Sequence, residues 1–328
     1  DKSALELYGW YTMFVYLATI PGGILADRYL GQRKSVMIGG LLLCFGHGIL
    51  AVEALWAFYT GLTFIVLGVG CLKGNISTMV GGLYDKNDHN KRDMGFYIFY
   101  MGINVGAASA ALLVGWIGET FNWHYGFGLA GIGMALGQLG YWKGQKYLKH
   151  VGNKIETKNI ENKNSTNLFL EIFKKTNSIL GFLLTASLGI YIGLNGSWDY
   201  GLLIVGIAFA VGFAIVVYND GNRIEKDRIM VTYLAFLIVI VFWGSFEQAG
   251  GLMNLYAFQK TDLALGSFMV PASWFQSVNA IFILIFATTV GSFWIWWKKS
   301  GYEHSSLFKM ALGVITVSYT HLTLPTIE

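Results

Sequence analysis

The chain has 328 residues, 54% of them hydrophobic and 13% charged, with a formal charge of +4 and a mean hydropathy of +0.51. A soluble domain carries about 25% charged residues, so this balance excludes a water-soluble globule. The charges also lie in short islands between long apolar stretches, so +4 is no argument for nucleic acid. The 42 glycines and 16% aromatic residues fit a protein that crosses the membrane many times, because glycine lets membrane helices approach and Trp and Tyr favour the interfaces.

About 20 apolar residues cross a bilayer core. Nine such runs follow in chain order, near 7–27, 35–54, 57–83, 95–117, 124–147, 177–195, 199–218, 229–256 and 268–297, and a partial run begins near Leu307. The segment 148–178, which includes KHVGNKIETKNIENKNSTN, is polar and rich in Asn and reads as a solvated linker. The expected fold class is an all-α membrane bundle. Residues 1–147 form a first bundle, 148–228 the linker with two additional spans, and 229–316 the start of a second bundle. The tail 317–328 (VSYTHLTLPTIE) reads as non-native sequence and is set aside. Asp1 stands just before an apolar run without a signal-peptide pattern, so the chain reads as an internal fragment of a longer protein.

Lys and Arg placement sets the orientation. Alternate loops collect Arg28, Arg33 and Lys34; Lys86, Lys91 and Arg92; the lysines from Lys143 to Lys175; Arg223, Lys226 and Arg228; and Lys298 and Lys299. The opposite loops hold only Lys2 and Lys260, so the first set is expected on the cytoplasmic side. Cys44 and Cys71 lie in apolar runs and read as packing residues without a disulfide framework.

Two ionisable residues stand out. Lys73 is the only charge from Ala57 to Tyr84, where a lysine costs about 2.5–3.5 kcal/mol on insertion scales. Glu247 is the only acid between Asp227 and Asp262. Lys73 is either paired permanently with a helix acid or a functional charge facing a cavity, and Glu247 is either a neutral buried acid satisfied by backbone or a proton site whose occupancy follows the conformation. Asn104 and Asn279 can serve a ligand or an interhelical hydrogen bond. Tyr16 and Trp243, read from the residues alone, fit ordinary packing, and Trp243 lies one turn before Glu247. The loop GGILADRYLGQRK (Gly22–Lys34) carries Gly23, Asp27, Arg28, Gly31, Arg33 and Lys34. Its charges can pair across helices or simply form a positive-inside loop. The six histidines show no ligand spacing, so no metal site is expected. GVGCLKG lacks the ending of a phosphate loop, and no Ser–His–Asp or Cys–His set is visible, so the chain does not read as an enzyme.

The Gly22–Lys34 pattern resembles the loop after the second helix of the major facilitator superfamily, where it latches the cytoplasmic side. More specifically, YGWYTMFVYLATIPGGILADRYLGQRK, GVGCLKGNISTMVGGLY, RDMGFYIFYMGINVGA, FWGSFEQAGGLMNLYA and PASWFQSVNAIF resemble the second, fourth, fifth, seventh and eighth helices of the proton-dependent oligopeptide transporter (POT) family, of the bacterial di-/tripeptide permease type. The matches run in family order over 7–316, and the runs near 177–195 and 199–218 resemble the helix pair that bacterial members insert between their halves.

The resemblance implies a proton-coupled symporter of dipeptides and tripeptides that works by alternating access in the bacterial cytoplasmic (inner) membrane. It implies peptides, protons and the lipid bilayer as partners, a monomer, no nucleic acid, and no cofactor beyond protons as the coupling ion. It assigns substrate binding to Tyr16, Lys73, Asn104, Trp243 and Asn279, proton coupling to Lys73 and Glu247, and weaker cavity roles to Gln248 and Asn254. The family's first-helix ExxER motif and its tenth and eleventh helices are missing, and KGN stands after Lys73's position where KPN is commoner. The rival readings are a symporter of nitrate, amino acids or another small solute, a membrane receptor or scaffold, and an intramembrane enzyme.

Overall fold

The computed structural model describes residues 2–85, 88–154, 176–196, 198–220, 222–303 and 305–323. Lys86, the 155–175 part of the expected linker and the last tail residues, 324–328, lie outside them. The helices are, in chain order, α1 (Lys2–Leu17), α2 (Thr19–Leu25), α3 (Gln32–Leu50), α4 (Leu55–Gly82), α5 (His89–Ser109), α6 (Gly115–Thr120), α7 (Trp123–Gly144), α8 (Thr176–Leu194), α9 (Trp198–Asp220), α10 (Arg223–Phe246), α11 (Leu252–Lys260), α12 (Phe275–Lys299) and α13 (Ser306–Thr323). Among the described residues, five stretches are long and apolar enough to span a bilayer: Gln32–Leu50, Leu55–Gly82, Lys91–Thr120, Arg223–Lys260 and Ala272–Lys299. Residues divide into two compact units, 1–156 with 244–304, and 157–243 with 305–328.

The first unit is held together by helices that touch backbone to backbone. Gly39 and Gly68, and Gly46 and Gly61, meet where α3 crosses α4, and a methyl at any of them would strike the facing helix at 3.0 Å or less. Around these contacts lie Leu43, Leu50 and Ile65, packed by Phe58, Phe127 and Met134. Interiors of this kind gain from close packing, since lipid supplies no hydrophobic drive between helices. α2 meets α4 the same way at Gly22 and Gly70. The Asn75 amide holds that crossing by donating to the carbonyls of Cys71 (2.8 Å) and Gly22 (3.4 Å).

Three expected spans differ from single straight helices. The run 7–27 breaks between α1 and α2 at Ala18, because Pro21 has no N–H to give the Leu17 carbonyl. The run 229–256 breaks at a 3-10 turn, Glu247–Ala249, followed by Gly250 and Gly251. The run 268–297 opens later than expected: Ala264–Leu265 and Phe268–Met269 form a short antiparallel hairpin, and the helical path starts at Ala272. Elsewhere the runs and helices agree to within a few residues at most ends. α4 passes through Gly74 unbroken, so KGN leaves the helix regular there.

The linker reading is also corrected at its start. Val151 is 5% exposed and packs with Val36 and Met79. Gly152 accepts from the Arg33 N–H at 2.9 Å, so 148–154 docks on the first unit, while Lys149, His150, Asn153 and Lys154 are exposed. In the second unit α8 packs on α9, with Gly189 against Gly201. α13 runs from Ser306 through the expected tail to Thr323.

α5 continues through a π-helical turn (Ala110–Val114) into α6, and together they pack on α12. Glu119 caps the start of the α12 path, its two oxygens accepting from the Ala272 and Ser273 N–H groups at 2.8 Å each. The Trp274 indole donates to the Leu112 carbonyl at 3.0 Å. Helix-start N–H groups need such partners, and leaving a buried donor unpaired costs about 1–3 kcal/mol. Glu119→Ala is therefore expected to lower the melting temperature in detergent by several degrees, while Thr120→Ala, at an exposed neighbour, leaves it unchanged.

Candidate functional site

Pro21 and the Gly22–Gly70 crossing turn the end of α1 toward the middle of α4. There the Lys73 ammonium lies over the Tyr16 ring, 4.1 Å from its centroid, a favourable cation–π geometry. The Tyr16 hydroxyl donates to Glu247 Oε1 at 2.8 Å. Tyr16 thus stands between a base of α4 and the acid at the break before α11. Among the described residues Lys73 and Glu247 form no ion pair within 4.0 Å; Tyr16 touches both. The lysine is therefore not locked to an acid among the described residues, and Tyr16 links it to Glu247. Lys73 is exposed on α4 while Asn75, two residues on, is buried against α2.

Of the two asparagines, Asn104 is 6% exposed. Its amide donates to the Tyr100 carbonyl at 2.9 Å, and with Ala108 it lies on a buried stripe of α5, the helix that packs on α12. Asn279 is on α12 with its side chain exposed, away from the buried Ser277 and Ala280. Trp243 belongs to the second unit, edge-to-face with Phe242 at 5.9 Å. The α-helical backbone runs through Phe246, so the one-turn spacing from Trp243 to Glu247 is kept up to the 3-10 turn. Gln248 donates to the Gly244 carbonyl at 3.3 Å. Asn254 lines a cavity of about 330 Å³ with Tyr8, Glu119 and Gly251, and its Oδ1 is buried without a partner among the described residues.

The loop after α2 is built for docking. Residues Ala26–Leu30 form a π-helical turn, and Gly31 leaves it at φ 79, a conformation that favours glycine. A methyl at Gly31 would strike the Lys154 N at 2.6 Å and the Gly152 O at 3.0 Å. Arg33 reaches the Leu148 carbonyl through its guanidinium at 3.3 Å, and its own carbonyl accepts from the Tyr141 hydroxyl at 3.0 Å. Asp27, Arg28 and Lys34 are exposed. Among the described residues these three and Arg33 make no ion pair. Gly23 has open space around it and does not make the close contact that Gly22 makes.

Sequence reading missed Tyr8. Its hydroxyl donates to the Glu247 carbonyl at 3.3 Å, and its ring covers Gly250 and Gly251. Two signals pointed to it: Tyr8 precedes Tyr16 by eight residues, about two helical turns on one face, and a Gly–Gly pair follows Glu247 by three residues. The Glu119 cap had no comparable signal, because its partners are backbone groups 153 and 154 residues away.

Residues 33–328 match the model of the POT family. The chain belongs to the POT family. It is 35% identical over 325 residues to an uncharacterized transporter, YclF, of Bacillus subtilis, covering 96% of this chain and 63% of that protein. It is 34% identical over 326 residues to the peptide transporter YePEPT of Yersinia enterocolitica, covering 96% and 63%. A di-/tripeptide transporter of Lactococcus lactis subsp. cremoris is 34% identical over 337 residues, covering 98% and 66%. The chain thus spans less than two thirds of the length of these relatives.

Solved POT structures share the fold. A peptide transporter POT in complex with sulfate has a TM-score of 0.72 at 33% identity, covering 90% of this chain and 60% of that one. A POT family transporter in complex with 5-aminolevulinic acid has a TM-score of 0.72 at 31% identity, covering 92% and 63%. The expected fold, a partial helical bundle of the major facilitator type in an integral membrane protein, is what these likenesses show.

Proposed function

We propose that this chain is the larger part of a proton-coupled symporter that imports dipeptides and tripeptides across the bacterial cytoplasmic membrane as a monomer, with protons as the coupling ion. The observation that carries this reading is the Lys73–Tyr16–Glu247 linkage. A titratable acid, a hydroxyl and a cation in one connected set can exchange partners when a proton or a carboxylate arrives. With Glu247 charged, its field and the Tyr16 ring hold Lys73. With Glu247 protonated, that field is lost and the ammonium is free to take a substrate carboxylate, a strong charge-assisted contact. Substrate release and proton loss restore the first state. Because the acid lies at a helix break, the same exchange can bias the rocking of the two bundles about a central site. The loop around Gly31, docked on 148–154, serves as the inner latch.

The names of the Yersinia and Lactococcus relatives support peptides. A second reading, a small amino-acid-like solute, rests on the neighbour bound to 5-aminolevulinic acid. The test is uptake by the intact transporter in liposomes with an imposed pH difference. Gradient-driven accumulation of several dipeptides supports the first reading. Accumulation of 5-aminolevulinic acid or nitrate with no dipeptide uptake overturns it.

The two asparagines are expected to part company. In the proposed cycle Asn279, exposed on α12, reads peptide backbone, so Asn279→Ala is expected to raise the half-saturating concentration of several dipeptides by a similar factor, about fivefold for one lost hydrogen bond. Asn104, buried on α5, instead costs melting temperature when replaced by Ala. Uptake kinetics and thermal melting of both variants check this. A side-chain-dependent effect at Asn279 counts against backbone contact.

A further inference from the structure

We infer that Tyr8 is a positioning residue: its hydroxyl and ring hold the break between α10 and α11 in place, and so fix where the Glu247 carboxylate points. In a continuous α-helix the Gly251 N–H would bond the Glu247 carbonyl. Here the N–H groups of Gly250 and Gly251 both turn to the Gln248 carbonyl. The Glu247 carbonyl, released from that register, takes the Tyr8 O–H of another helix at 3.3 Å in a part-buried contact. A carbonyl at membrane depth that loses its helical partner needs a substitute of this kind. The fit of the ring is the second, independent observation. A methyl added at Gly251 would lie 3.2 Å from two Tyr8 ring carbons, and one at Gly250 would strike the hydroxyl. The paired glycines therefore make the slot that the ring occupies. The break resumes as helix when the Leu255 N–H reaches the Gly251 carbonyl at 3.1 Å.

The same acid is consequently gripped twice from α1. Tyr16 holds its side chain, and Tyr8, two turns earlier, holds its backbone. One grip sets the proton-bearing group and the other sets the peptide unit that carries it. The inference rests on the coupling role proposed for Glu247, but it also predicts a backbone effect that does not depend on transport.

The test uses Tyr8→Phe in the intact transporter, with Tyr11→Phe as control, because Tyr11 packs on the Leu43 cluster away from the break. Hydrogen exchange of the 247–251 amides is expected to quicken by about tenfold in Tyr8→Phe and to stay unchanged in the control. The maximal rate of gradient-driven uptake is expected to fall by about the same factor, with the half-saturating peptide concentration unchanged. Gly251→Ala, which displaces the ring without touching the tyrosine, is expected to act in the same direction and serves if Tyr8→Phe does not fold. Unchanged exchange in both variants overturns the inference. Faster exchange with unaltered turnover per folded molecule leaves Tyr8 a merely structural role and overturns the positioning claim. If the wild-type protein shows no proton-driven uptake, the coupling reading fails, while the exchange measurement still decides whether Tyr8 holds the break.

Discussion

Lys73→Ala is expected to abolish proton-driven peptide accumulation, bringing it to the level of empty liposomes, while membrane insertion and melting temperature stay near wild type. Both halves of that result follow from the geometry. Lys73 makes no ion pair among the described residues, so removing it strands no locked carboxylate. Among the described residues its close partner is the Tyr16 ring at 4.1 Å, worth about 0.5–2 kcal/mol, and a lysine at membrane depth carries an insertion cost of similar or larger size. The fold therefore loses little. Function loses the one cation of the set, which in the proposed cycle answers both the Glu247 charge and the substrate carboxylate. Lys73→Arg keeps the charge but replaces a compact ammonium by a wide planar fork, so partial uptake is expected there. Thermal melting separates this outcome from misfolding, and normal driven uptake by Lys73→Ala would remove the residue from the mechanism.

The helices were legible because the bilayer makes composition nearly sufficient: apolar runs of about 20 residues have few alternatives to a helix. Lys73 and Glu247 were legible for the same reason, as charges where charge is expensive. What sequence did not reveal was where helices stop being regular. A Gly–Gly pair in an apolar run fits close packing or a break equally well, and only the Tyr8 contact makes Gly250 and Gly251 a break. The start of the linker was misread because polar letters surround Val151, whose burial depends on Val36 and Met79 far away in sequence. Asn104 shows the limit from the other side. Its rotation about α5, which puts it on a buried stripe, is not something a short motif fixes.

Glu247→Gln is expected to uncouple the transporter: gradient-driven accumulation is lost, while downhill peptide exchange persists at least in part. The glutamine amide is close in shape to the acid, and its oxygen can still accept from the Tyr16 hydroxyl that now reaches Oε1 at 2.8 Å. The backbone grip of Tyr8 on the Glu247 carbonyl does not involve the side chain at all. The break between α10 and α11 should therefore survive, and with it the rocking of the bundles. What glutamine lacks is charge. It mimics the neutral acid permanently, so Lys73 stays released and no longer tells the bundle whether a proton has arrived. Exchange needs only the loaded carrier to reorient, whereas accumulation needs the empty, deprotonated carrier to return in a different state. Both are measured in one liposome preparation, with and without an imposed pH difference. Concentration of peptide by the Gln variant would show that Glu247 is not an essential proton site. Loss of exchange together with accumulation would make Glu247 a gating or structural residue and move the coupling step away from the Lys73–Tyr16–Glu247 set.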